Sequence, residues 1–134
     1  MRSNWEASAK KGKLSAEQVE QRMALVSGTT EYSDPKVAEA DVVVEAAFES
    51  MEVKRTIFGA LDAVCKPSCL LASNTSTLSV DEIAASTSRP ESVVGMHFFS
   101  PANVMPLLEN GARARTHAAR THAARSAAAR TQSR

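Results

Sequence analysis

Glycine is scarce in this chain and never clustered. The five glycines are Gly12, Gly28, Gly59, Gly95 and Gly111, and no two are closer than sixteen residues. A Gly-x-Gly-x-x-Gly turn is therefore absent. That excludes the glycine-rich cradle with which a strand–turn–helix unit seats a pyrophosphate. Cysteine is limited to Cys65 and Cys69. A Cys-x3-Cys pair could supply two zinc ligands, but a structural zinc usually takes four and no second pair exists. The reading is no metal, and two reduced thiols beside a core strand. Aromatics make up only 4% of the residues, so the core must be built from Val, Leu, Ile, Ala and Met. No apolar run approaches the roughly 18 residues of a membrane span. The first residues lack the apolar stretch of a signal peptide. The last three, Gln132-Ser133-Arg134, are not the Ser-Lys-Leu peroxisomal address.

Acid is missing from one region altogether. Residues 111–134 hold six arginines and no Asp or Glu, whereas the first 110 hold all fifteen acids and ten bases. The body thus carries −5, which suits a soluble cytoplasmic protein and argues against nucleic acid or membrane as partners. The tail repeats Thr116-His117-Ala118-Ala119-Arg120 as Thr121-His122-Ala123-Ala124-Arg125 and Ser126-Ala127-Ala128-Ala129-Arg130. Five residues advance a helix by about 140°, so the arginines would spiral rather than form a face. With nothing apolar larger than alanine, this segment is expected to be disordered or transiently helical.

Within the body, Ser15-Ala16-Glu17-Gln18 has capping-box spacing. With Val19, Met23 and Val26 on one face it predicts a helix over 15–26. Thr29–Tyr32 reads as a short strand and Ser33-Asp34-Pro35 as a turn. The run Val42-Val43-Val44-Glu45-Ala46-Ala47 is a buried strand. Ser50 then opens a helix with a Val53, Ile57, Phe58, Leu61, Val64 stripe, ending near Pro67. Residues 69–73 form a second strand. Ser79-Val80-Asp81-Glu82 is a further capping box, starting a helix to about Thr87. Residues 93–98 form a third strand.

Strand–helix–strand–helix–strand in units of about 25 residues implies a parallel sheet with right-handed crossovers. Glu49, Asn74, Ser76 and His97 then fall at or just past the carboxyl ends of three strands, the edge where open α/β sheets bind ligands. A lone histidine at a strand end is more often structural than catalytic, and Asn74 and Ser76 could be simple turn residues. Glu49 and Lys54 could be an ordinary pair at a helix start.

Three motifs in order change that balance: Glu45-Ala46-Ala47-Phe48-Glu49 through Lys54, Ser73-Asn74-Thr75-Ser76, and His97-Phe98-Phe99-Ser100-Pro101. Over about residues 4–109 the chain resembles the NAD-binding domain of the 3-hydroxyacyl-CoA dehydrogenases. The runs at 64–67 and 80–84 and the Phe-Ser-Pro form of the histidine motif look most like the multifunctional β-oxidation enzymes. The resemblance implies an α/β fold, a partial Rossmann-like parallel sheet that is the second half of a dinucleotide-binding domain. It spans residues 1–110 and is followed by the tail, 111–134. It implies NAD as cofactor and a 3-hydroxyacyl-CoA as substrate. It implies His97 as catalytic base, Glu109 as its carboxylate and Ser76 as the hydroxyl that meets the substrate's 3-oxygen. Ala47, Phe48, Glu49 and Lys54 match the stretch lining the cofactor. Asn74 matches the residue that shapes the loop around Ser76, and Ser100 stands where relatives contact the cofactor.

The residue types suit that chemistry. Oxidising a secondary alcohol requires a base that is neutral near pH 7, and imidazole is the side chain that titrates there. The departures matter too. The glycine turn and the acidic residue that grips the adenosine ribose are missing, and the resemblance stops near Glu109. The chain is therefore expected to be truncated at both ends, with an out-of-frame or aberrant tail, and to have little activity alone. In the strand order 3-2-1-4-5-6 the Val42 strand would be fourth, leaving an open edge able to receive a partner chain.

Overall fold

The computed structural model describes residues 1–112, which divide into two compact units at Glu31/Tyr32. The first unit holds α1 (Arg2–Lys10) and α2 (Ala16–Ala24). The capping box forms: the Gln18 N–H donates to Ser15 Oγ at 3.1 Å, and the Ser15 N–H donates to Gln18 Oε1 at 2.8 Å. Two of the four orphan N–H groups at that helix start are thereby satisfied. Helix α1 has no side-chain cap and no buried residue. It is held to α2 by Arg2, whose guanidinium reaches both Glu20 oxygens. Nothing in its pattern marks it as helical, because it lacks an apolar stripe.

A loop stands in place of the strand expected at Thr29–Tyr32. Two threonines have β propensity only when a neighbouring strand accepts them. Asp34 then caps a short helix, α3 (Pro35–Ala38), where a turn was expected; its side chain accepts from the Lys36 N–H at 2.8 Å. Pro35 at the first helical position is compatible with that start.

The sheet has four strands in the order β1-β2-β3-β4: β1 (Val42–Glu45), β2 (Leu70–Ser73), β3 (Val93–Phe98) and β4 (Leu108–Ala112). The first three are parallel, with Val42 beside Leu70 and Leu71 beside Val93. They are joined through α4 (Met51–Val64) and α5 (Val80–Ala84). Strand β4 is antiparallel to β3, and it crosses the boundary expected at residue 110. The tail expectation beyond Ala112 lies outside the described residues.

Alternation sorts the side chains. Leu71 and Val93 join Phe58, Leu61, Ile83 and Ala84 of the two helices in one core layer, together with Cys65 and Cys69. Leu70, Ala72, Val94 and Met96 form the layer on the opposite face. Arg89 closes the end of α4. Its Nε meets Asp62 at 2.8 Å, and its remaining nitrogens reach the carbonyls of Cys65 and Lys66. The Cys65 carbonyl is the helix C-cap and would otherwise be one of the orphans of that terminus, whereas the Lys66 carbonyl also accepts from the Cys69 N–H at 3.0 Å.

Both thiols are free and buried. Burial, with Cys65 alongside, pushes the Cys69 thiol up to about 11. Because the thiolate is the nucleophile, Cys69 is expected to be inert to a disulfide reagent at about pH 8 in the native chain and reactive once unfolded. Mass spectrometry after timed exposure reads this; rapid native labelling of Cys69 would contradict the packing.

Candidate active site

The carboxyl edge of the parallel strands carries the chemistry. On β3, residues 93, 95 and 97 share the face covered by α5; on β4, residues 109 and 111 share it. The antiparallel register sets His97 directly opposite Glu109 and Gly95 opposite Gly111. His97 Nδ1 lies 3.1 Å from Glu109 Oε2. The His97 ring also leans on Phe99, with centroids 4.7 Å apart. The twelve-residue spacing of His97 and Glu109 is thus the span of one hairpin-like return.

Beside this pair the two glycines leave the sheet bare. A Cβ on Gly95 would come within 3.3 Å of Val80 Cγ2 and 3.5 Å of the Gly111 carbonyl. A cleft of 230 Å³ opens there, lined by Thr75, Ser76, Thr77, Leu78, Val80, Gly95, His97, Glu109 and Gly111. It unites the three residues expected to do chemistry: Ser76, His97 and Glu109.

The other candidates lie outside that lining. Asn74 ties two strand ends together: its Oδ1 accepts from the Phe98 N–H at 2.7 Å, one residue past His97. Its own N–H donates to the Glu45 carbonyl at 2.8 Å. Ala47, Phe48 and Ser100 are exposed, Phe48 by 78%. Lys54 is placed where no surface contact is open to it. It is 1% exposed, and its ammonium lies 2.9 Å from Glu45 Oε1 and 3.2 Å from Glu49 Oε2. Glu45 and Thr75 are site residues that the sequence reading missed. The available signal was an acid closing an otherwise apolar strand.

Glu49 organises the turn after β2. Its Oε1 accepts from the Thr75 hydroxyl, from the N–H groups of Ser76 at 3.2 Å and Thr77 at 3.4 Å, and from the Thr77 hydroxyl at 3.3 Å. The Thr75 hydroxyl, with help from Lys54, holds this carboxyl at about 2, below its ordinary 4.5. A depressed carboxylate stabilises the fold above its unfolded value, and that contribution is lost as pH falls through the folded value. The Thr75–Thr77 turn should therefore stay ordered from neutral pH down past 4.5 and release only as pH approaches about 2. Amide shifts of Ser76 and Thr77 followed through an acid titration test this; a midpoint near 4.5 would contradict it.

Among the described residues no three His, Cys, Asp or Glu side chains gather for a metal, and no helix is long and apolar enough to cross a membrane.

A parallel α/β sheet with a His–Glu pair and a hydroxyl-bearing turn at its carboxyl edge defines a dehydrogenase-type nucleotide domain. The pattern of the family "3-hydroxyacyl-CoA dehydrogenase, NAD binding domain" matches residues 1–133. The chain belongs to that family. It is 41% identical over 107 residues to the peroxisomal fatty acid beta-oxidation multifunctional protein of Oryza sativa subsp. japonica, covering 80% of this chain and 14% of that protein. It is 50% identical over 84 residues to the 3-hydroxybutyryl-CoA dehydrogenase of Clostridioides difficile, covering 63% of this chain and 29% of that one. The crystal structure of 3-hydroxybutyryl-CoA dehydrogenase from Escherichia coli K12 superposes with a TM-score of 0.88 at 37% identity, over 95% of this chain and 26% of that one. The chain therefore spans less than a third of each of these relatives.

The residues present fit the reacting end of a nicotinamide nucleotide: a cleft at the carboxyl edge, with a hydroxyl and a His–carboxylate pair. They do not fit its pyrophosphate end. The segment preceding β1 is helical and contains no glycine turn.

Proposed function

We propose that this chain carries the proton-transfer half of an NAD-dependent 3-hydroxyacyl-CoA dehydrogenase of fatty-acid β-oxidation, oxidising a 3-hydroxyacyl-CoA to the 3-oxoacyl-CoA. The observation that carries this reading is His97 facing Glu109 across β3–β4 on the wall of a cleft that also holds Ser76. With Glu109 accepting at Nδ1, the proton of a neutral imidazole resides there, and Nε2 is left as the acceptor. Nε2 takes the proton of the substrate's 3-hydroxyl. Glu109 stabilises the imidazolium that results, and the Ser76 hydroxyl holds the 3-oxygen in line. A nicotinamide, when bound, supplies the hydride acceptor.

Purified chain with acetoacetyl-CoA and NADH is expected to show no steady turnover, since the pyrophosphate seat is absent from its sequence. A chimera tests the reading: residues 32–112 replace the matching segment of the E. coli 3-hydroxybutyryl-CoA dehydrogenase. Acetoacetyl-CoA-dependent NADH loss in the chimera is the expected result. A folded chimera without turnover would sink the proposal.

A second reading is a subunit completed by another polypeptide. It is favoured by β1, which pairs only with β2 among the described residues and leaves Val42 and Val44 36% and 41% exposed. An apolar edge of this kind is a template for strand addition. Co-purification of a protein bearing a Gly-x-Gly-x-x-Gly turn supports it, and a monodisperse monomer at high concentration argues against it. The cytoplasmic compartment is likewise a proposal, since the rice relative is named peroxisomal. Fractionation decides it.

A further inference from the structure

Helix α4 places a cation among its core residues. Lys54, Phe58 and Leu61 follow one another at i, i+4 and i+7, and all three are buried. A lysine in such a position loses its hydration, and only opposite charge with good hydrogen bonds offsets that cost. Lys54 Nζ lies 2.9 and 3.0 Å from the two oxygens of Glu45, whose side chain is 2% exposed. Its third partner is Glu49 Oε2 at 3.2 Å. Glu45 is itself fixed by the Ser73 hydroxyl at 2.7 Å and the Ala47 N–H at 2.6 Å.

One carboxylate is enough to neutralise one ammonium, and Glu45 provides it. The second carboxylate has a different use. Glu49 divides its oxygens: Oε2 faces the buried cation, while Oε1 faces the donors of Thr75, Ser76 and Thr77. Lys54 thus fixes the carboxylate around which the turn is folded. We infer that Lys54 is a positioning residue, acting through Glu49 on the turn that carries Ser76. The inference rests on the reading of Ser76 as the hydroxyl that meets the substrate. Its test reads the turn itself, so the two can fail separately.

The experiment uses the full chain labelled with ¹⁵N. In Glu49→Gln, amide exchange at Ser76 and Thr77 is expected to rise about ten-fold or more while the β2 and β3 amides stay protected. The Lys54 ammonium resonance is expected to shift in the same variant, because one of its two carboxylate partners is gone. In the paired variant Lys54→Met with Glu45→Gln, both buried charges are removed together. The same two amides should open, and the Glu49 midpoint should climb from about 2 toward 4.5. Protected Ser76 and Thr77 amides or an unmoved Lys54 resonance in Glu49→Gln overturns the inference, and so does a Glu49 midpoint still at about 2 in the paired variant. If the paired variant does not fold, the two readouts of Glu49→Gln decide alone. Should the turn respond as expected while Ser76→Ala leaves acetoacetyl-CoA binding intact in the chimera, the substrate role of Ser76 fails and the positioning role stands.

Discussion

Replacing Lys54 by alanine is expected to destabilise the fold by about 3–5 kcal/mol, the usual cost of leaving a buried charge without its partner. Two carboxylates lose the one cation paired with them among the described residues, and Glu45, 5% exposed, has no route to water. Set against a typical domain stability of about 5–15 kcal/mol, the loss is large enough to leave much of the chain unfolded at room temperature. Lys66 is the natural control. Its ammonium pairs with Asp41 at 2.6 Å, but their side chains are 29% and 91% exposed. Lys66→Ala should cost far less than Lys54→Ala, because a solvent-screened surface pair contributes little. Urea unfolding of both variants reads the contrast. Equal costs would mean that the Lys54 pairs contribute no more than a surface ion pair. Lys54→Met with Glu45→Gln should recover part of the loss, because matched neutral groups leave no buried charge unpaired.

The second large effect is kinetic. In the chimera, His97→Ala should lower kcat by about 10²–10⁴-fold, the ordinary range for a positioned acid–base group. The fold should survive, because the His97 side chain is 25% exposed and sits at a strand end rather than in either core layer. Glu109→Gln should act in the same direction, since it leaves the imidazole without a counter-charge as the proton arrives. A His97→Ala chimera that keeps full turnover would remove the base from the mechanism.

Much of the parallel sheet can be read from sequence, and for a physical reason. The strands at Val42-Val43-Val44 and Leu70-Leu71-Ala72 are short apolar runs, although only the second is buried throughout and Val42 and Val44 stand exposed where burial was expected. The capping signals at Ser15 and Ser79 mark the starts of α2 and α5. The second capping box formed only by half in function: Ser79 Oγ accepts the Glu82 N–H at 3.3 Å, while the Glu82 carboxylate turns to Arg55 at 3.0 Å. Helix α5 also stops at Ala84, short of the expected Thr87. Strand β4 was not legible, because Leu-Glu-Asn-Gly-Ala has no strand pattern of its own and is extended through its pairing with β3. The same pairing brings Glu109 to His97, so the contact is tertiary. The motif named both residues, but only the register joins them. Lys54 shows the opposite limit. Its i+4, i+7 relation to Phe58 and Leu61 was visible, yet lysine in such a stripe is ordinarily exposed. Nothing in the helical spacing reveals that Glu45, nine residues earlier at the end of β1, is its partner.

The most direct test of the central claim, that Glu109 holds His97 ready to accept a proton, is the tautomer of His97 in the intact chain. Nitrogen chemical shifts at about pH 8 distinguish a protonated Nδ1 from a protonated Nε2. The account predicts Nδ1–H with Nε2 bare, and loss of that preference in Glu109→Gln. A proton on Nε2, or a preference indifferent to Glu109, would contradict it.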